Sequence, residues 1–145
     1  MIVLGSDHAG FELKRHIMGY LEQKGYEVKD LGCATAESVD YPTYGEAAAR
    51  EVACGRAELA VIVCGTGLGI SMAANKVKGI RAALCANEFM ARMARLHNDA
   101  NVLALGSRVV GTGLAEAIVD AFLTTPFEGG RHAKRVKLLM DIENK

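Results

Sequence analysis

Apolar positions along this chain fall into short runs separated by longer stretches of mixed character. The runs at 2–5, 59–63, 80–85 and 102–105 are too short for buried helices and read as strands, and Tyr26 to Leu31 reads as a further, more polar strand. Leu59-Ala60-Val61-Ile62-Val63 shows no polar alternation, the signature of a strand buried on both faces. The intervening stretches carry helical spacing. Residues 11–24 place Leu13, Ile17, Tyr20 and Leu21 near one face and close at Gly25. Further helices are predicted at about 44–53, from near Ile70 to about Val77, at 88–96, at 113–123 and at about 131–142. His97-Asn98-Asp99-Ala100-Asn101 reads as a loop.

Strands that alternate with helices in this way predict an α/β fold: a three-layer, Rossmann-like open sheet of five parallel strands with helices on both faces. Ligands of such sheets bind beyond the carboxyl ends of the strands. The segments expected there are 6–10, 64–69, Ala86-Asn87 and 106–108. The loop at 97–101 precedes the fifth strand and is expected at the opposite edge. The last helix follows the hinge Phe127-Glu128-Gly129-Gly130 and carries Val136, Leu138, Leu139 and Ile142. It is expected to pack on a partner subunit, so that a homodimer, which could pair further into a tetramer, brings the distant segments together.

Composition narrows the picture. The 145 residues suit one domain spanning 1–145, and 50% of them are hydrophobic. The 17 basic and 17 acidic residues cancel, so nothing favours a nucleic acid or an anionic membrane as partner. No apolar stretch approaches the ~20 residues of a membrane span. Met1-Ile2-Val3-Leu4 meets Gly5 and Asp7 at once, unlike a secretory signal, and a cytoplasmic protein is expected. Cysteines at 33, 54, 64 and 85 form no C-x-x-C pair, and histidines at 8, 16, 97 and 132 form no H-x-x-x-H pair. No disulfide framework or zinc site is expected.

The chemistry is concentrated after the third strand, in Cys64-Gly65-Thr66-Gly67-Leu68-Gly69-Ile70-Ser71. Closely spaced glycines let backbone N–H groups converge on one small volume, and a helix N-terminus adds roughly half a positive charge there. Such a nest stabilises an anion, including the thiolate of the neighbouring Cys64. A dinucleotide turn, G-x-G-x-x-G, would need glycine or alanine where Ile70 stands. A thiol phosphatase loop would need a phosphate-binding arginine at the same position. A structural turn with an inert cysteine is the remaining bland alternative.

Seven segments in this order make the chain resemble the type B ribose-5-phosphate isomerases, a family that also holds allose- and galactose-phosphate isomerases. They are Gly5-Ser6-Asp7-His8-Ala9-Gly10-Phe11, Asp40-Tyr41-Pro42, the cysteine–glycine turn, Ala73-Ala74-Asn75-Lys76, His97-Asn98-Asp99-Ala100-Asn101-Val102-Leu103, Gly106-Ser107-Arg108 and Glu128-Gly129-Gly130-Arg131-His132. The resemblance implies interconversion of an aldose phosphate and its ketose through an enediolate, without metal or cofactor. Some members use a Glu just after the last glycine of the turn as base. Here that position is Ile70, so the cysteine subclass is implied, with Cys64 moving a proton between C2 and C1.

Backbone donors over 67–71, hence Gly67, Leu68, Gly69 and Ser71 beside Gly65, are expected around the enediolate oxygen, a placement worth roughly 3 kcal/mol per donor. Thr66 carries a hydroxyl able to pass a proton between the substrate oxygens. Asp7 ends the first strand, where it can order sugar hydroxyls or cap the helix ahead of Phe11. His97 has the pKa range for opening a sugar ring and matches the family's ring-opening residue, with Asn98 as a hydroxyl ligand. Arg131 and Arg135, four apart, share a helix face and suit a phosphate, with His8 and Arg108 as further candidates. Arg81, Arg92, Arg95, His16 and His132 read as surface or packing residues, and Cys33, Cys54 and Cys85 as structural. The expected reaction is ribose 5-phosphate to ribulose 5-phosphate. A six-carbon sugar phosphate, a non-catalytic sugar-phosphate binding module and a thiol-dependent phosphatase are the alternatives.

Overall fold

A computed structural model describes residues 1–145. Five parallel strands, β1 (Ile2–Ser6), β2 (Val28–Asp30), β3 (Leu59–Cys64), β4 (Ala82–Leu84) and β5 (Val102–Gly106), form one sheet in the order β2-β1-β3-β5-β4. The helices are α1 (Phe11–Gln23), α2 (Tyr41–Ala53), α3 (Leu68–Asn75), α4 (Glu88–Asn98), α5 (Thr112–Thr124) and α6 (Arg131–Asp141). The expected α/β architecture is the observed one. No helix is long and apolar enough to cross a membrane.

The central strands are buried on both faces, which is why their sequences are unbroken apolar runs. Leu4, Val61, Val63, Leu103 and Leu105 meet Leu13, Ile17 and Leu21 of α1, Ala91 and Ala94 of α4, and Ile118, Val119 and Phe122 of α5. The alternate residues Val3, Ala60, Ile62, Val102 and Ala104 meet Ala48 and Ala49 of α2 and Ile70 and Ala74 of α3. The helices after β1 and β5 thus lie on one face and the helix after β3 on the other. A crevice must open on each side of the carboxyl end of β3, where neighbouring connections depart in opposite directions. Cys64 is the last residue of that strand.

Several boundaries differ from the expected ones. Strands β2 and β4 are shorter at both ends, because only their middle residues pair with neighbours. Helix α2 starts earlier, at Tyr41, with Pro42 in its first turn, where a missing N–H costs nothing. Helix α3 starts at Leu68 rather than near Ile70 and stops at Asn75; Gly67, at φ +80°, turns the chain directly into it. Helix α4 runs on through His97 and Asn98, so these two stand in a helical last turn and not in a loop. Asp99 ends the turn in the left-handed region, φ 47°, braced by Arg81, which donates to its carbonyl at 2.8 Å.

Candidate active site

Three turns meet at the carboxyl ends of β1, β3 and β5. Asp7 N–H donates to the Val63 carbonyl (3.3 Å), Ser107 N–H to the Cys64 carbonyl (2.9 Å) and Arg108 N–H to the Gly65 carbonyl (2.9 Å). Ser107 Oγ donates to the Ala9 carbonyl at 2.7 Å and closes the triangle. The approach requires glycine: a methyl group at Gly10 would overlap the Val63 carbonyl, and one at Gly106 would stand 2.5 Å from the Thr66 carbonyl oxygen.

Cys64 sits at the centre, 5% exposed. Its Sγ accepts the Gly67 N–H at 3.1 Å, and Thr66 Oγ1 accepts the Leu68 N–H at 3.2 Å. Ser71 N–H returns to the Gly67 carbonyl, and Ser71 Oγ donates to the Leu68 carbonyl at 2.7 Å. Of the donors expected over 67–71, those of Gly67, Leu68 and Ser71 are therefore engaged within the turn. The amides of Gly69 and Ile70 are the helix-start donors that the chain leaves open. Burial pushes the Cys85 thiol up to about 11. Cys33 is likewise buried, whereas Cys54 is exposed, its Sγ donating to the Glu51 carbonyl at 3.4 Å.

The neighbouring side chains are placed by backbone contacts. Asp7 is buried and its Oδ1 accepts the Gly10 N–H at 3.1 Å. It thereby closes the turn before α1, but the N-cap itself is Gly10, a correction to the expected cap role. His8 Nδ1 lies 3.2 Å from both the N–H and the carbonyl of Val39. Lys14, a fully buried lysine, donates to Asp30 (2.8 Å) and to the Cys33 carbonyl (2.6 Å), where the chain leaves β2. Arg108 is exposed and lies across Gly65, where a methyl group would stand 2.8 Å from its Nη1. Gly69 serves Tyr41 in the same way: a methyl group there would be 2.6 Å from the ring. Neither Tyr41 nor Lys14 was expected at the site from its residue type or spacing.

His97, Asn98, Arg131 and Arg135 are not at this edge. Helix α4 descends from the carboxyl end of β4 and delivers His97 and Asn98 to the amino end of β5. Helix α6 starts at that same end, because Glu128 N–H donates to the Leu96 carbonyl at 3.0 Å. Arg131, Arg135 and Asn98 are exposed there.

The His97 ring stacks on His132, with centroids 4.2 Å apart and planes 12° apart. Glu128 Oε2 lies 4.0 Å from His97 Nε2 and 3.8 Å from His132 Nε2. His132 had been read as surface or packing; it is 5% exposed and the only buried residue of α6. The signal was present in its spacing, since His132, Val136 and Met140 make the inward stripe of α6 at helical intervals. Burial and the charges of His97, Arg131 and Arg135 hold the His132 pKa below its ordinary 6.5, against the pull of Glu128. The two histidines and the glutamate have ligand atoms within 4.8 Å of one another. The rings are stacked and nearly parallel, however, so their planes do not meet within bonding distance of both, as a cation on two imidazole lone pairs would require.

One face of α6 is uncovered in the single chain. Leu138 and Leu139 are exposed there, as are Ile142 just beyond the helix, Leu68 and Met72 on α3 and Phe89 on α4.

Residues 2–139 match the model of a family described as Ribose/Galactose Isomerase. The chain is 49% identical to ribose-5-phosphate isomerase B of Escherichia coli over 144 residues, covering 99% of this chain and 97% of that one. It superposes on Clostridium thermocellum ribose-5-phosphate isomerase B with a TM-score of 0.98 at 57% identity, covering 99% and 97% of the two chains. On a Mycoplasma genitalium ribose-5-phosphate isomerase B with bound ribulose-5-phosphate the TM-score is 0.95 at 42% identity, covering 99% and 96%. The chain is therefore an isomerase, a member of the ribose/galactose isomerase family over nearly its whole length.

Proposed function

We propose that the protein interconverts ribose 5-phosphate and ribulose 5-phosphate, with Cys64 as the base. The observation that carries this is the seat of Cys64: a buried sulfur at a strand end that accepts a backbone N–H, beside two open helix-start amides. The thiolate takes the proton from C2 and returns it to C1. The negative charge that develops on the oxygen is held by the Gly69 and Ile70 amides. The exposed Thr66 hydroxyl passes a proton between O1 and O2, and Asp7 orders the sugar hydroxyls. The relatives' substrates support the five-carbon sugar.

His97 opens the sugar ring and Asn98 binds a hydroxyl. Arg131 and Arg135, with His8 and Arg108, hold the phosphate. These groups stand at opposite ends of one protomer, so the working site is shared: the carboxyl end of one copy receives the amino end of a second. The uncovered apolar face of α6 supports a homodimer of single-domain chains, with α6 packing on the partner. A cytoplasmic enzyme fits this reading.

Ketose formation from ribose 5-phosphate with EDTA present tests it, with wild type and Cys64→Ala side by side. Turnover is expected to survive EDTA and to fall about 10³-fold in the variant. Undiminished activity in Cys64→Ala would remove the thiol as base, and faster turnover of allose 6-phosphate would move the substrate to six carbons.

A further inference from the structure

Two groups beside His97 have no task in the reading above. His132 is buried, yet its Nε2 has no hydrogen-bond partner. A buried polar atom left unpaired costs about 1–3 kcal/mol, a cost that packing alone gives no reason to retain. Glu128 faces the Nε2 atoms of both rings, and its own backbone is tied to Leu96, the residue before His97.

We propose that His132 and Glu128 are positioning residues for His97: His132 fixes the ring plane by stacking, and Glu128 sets which ring nitrogen carries the proton. The proposal rests on the reading that His97 opens the sugar ring. The His97 side chain is 37% exposed in the last turn of α4. Unrestrained, its ring would rotate and present either nitrogen. Ring opening needs a nitrogen held at the anomeric hydroxyl or ring oxygen, with the proton on a defined atom. A flat neighbour restricts that rotation. Its depressed pKa keeps His132 uncharged at neutral pH, so it adds no repulsion of its own. A carboxylate opposite Nε2 favours a proton on that nitrogen and leaves the Nδ1 lone pair free. The charged and titratable groups around the pair are Glu128, Arg131 and Arg135.

The two directions of the reaction provide the test. Ribose 5-phosphate enters as a closed ring. Ribulose 5-phosphate is acyclic, because the hydroxyl that would close its ring is esterified. Groups that serve ring opening are needed in the first direction only. His132→Ala is expected to lower kcat on ribose 5-phosphate about tenfold with KM within about twofold, and to change ribulose 5-phosphate turnover less than about twofold. His132→Phe keeps a flat ring and should recover most of that loss. Glu128→Gln, on the surface, should shift the tautomer ratio of His97 read from ¹⁵N chemical shifts, and does so whether or not His132→Ala folds.

Equal losses in both directions, a change in KM alone, or an unmoved His97 tautomer in Glu128→Gln would overturn the proposal. His97→Asn is run in parallel. If it turns over ribose 5-phosphate like wild type, the underlying reading fails and takes the proposal with it. If only His97→Asn shows the directional loss, His97 keeps its role and the positioning pair is overturned alone.

Discussion

The carboxyl and amino ends of the sheet are built by opposite means. At the carboxyl end the backbone does the construction: turns from β1, β3 and β5 hydrogen-bond to one another, and Gly10 and Gly106 leave no room for a single added carbon. At the amino end side chains do it. His97, His132 and Glu128 come together from two helix ends, while Gly129 and Gly130 have open space around them. A thiol and its amide donors must be held without reorganisation, which close-packed backbone achieves. Ring opening and phosphate capture call for titratable and cationic side chains, which helix termini present to solvent. The thiol proposed as base stands at one end and the histidine proposed to open the ring at the other, and this is why the proposed site takes two copies.

The largest effect that could break this comparison is subunit complementation. In the proposed homodimer, Cys64→Ala and His97→Asn are each expected to be nearly inactive. Mixed after reversible dissociation, they should regain about a quarter of wild-type activity, since half the dimers are mixed and each carries one intact site of two. No recovery, with mixed dimers verified by mass spectrometry, would place both residues in one subunit's site.

A smaller effect separates the ends by packing. Gly10→Ala drives a methyl group into the Val63 carbonyl and should cost about 3 kcal/mol in urea unfolding. Gly129→Ala meets no atom and costs only its left-handed backbone, φ +71°, about 1 kcal/mol. Equal costs would show that the carboxyl end is no tighter than the amino end.

The smallest is a pH effect confined to the amino end. The folded pKa of His132 lies below 6.5, so on acidification the unfolded chain takes up its proton first. Stability should therefore fall as pH drops from about 6.5 toward the folded pKa, and be level above 6.5 as far as this group is concerned. Thermal unfolding across that window should show a shallower slope in His132→Phe than in wild type. An unchanged slope would mean that His132 is not the titrating group.

Much of this was legible along the chain because it depends on neighbours in sequence. Leu59 to Val63 could only be a doubly buried strand, and the glycines after Cys64 could only be a close turn into a helix. Arg131 and Arg135 share a face by spacing alone. The extent of α4 was not legible: His97-Asn98-Asp99 is polar enough for a loop, and it is Arg81, from beside β4, that braces the end of the helix by bonding to the Asn98 and Asp99 carbonyls. For His132 the structure selects packing over surface. Its neighbours in sequence are charged and exposed, and the ring that covers it belongs to α4.

The sequence by itself determined the α/β class, the parallel sheet and the cysteine turn, since backbone periodicity and glycine chemistry act over a few residues. Only the tertiary structure decided which side chains meet. Strand order and the direction of each crossover put Asp7, Cys64 and Arg108 at one edge, and His97, Glu128 and His132 at the other. Those are consequences of burying two faces of one sheet at once, a condition no short stretch of chain contains.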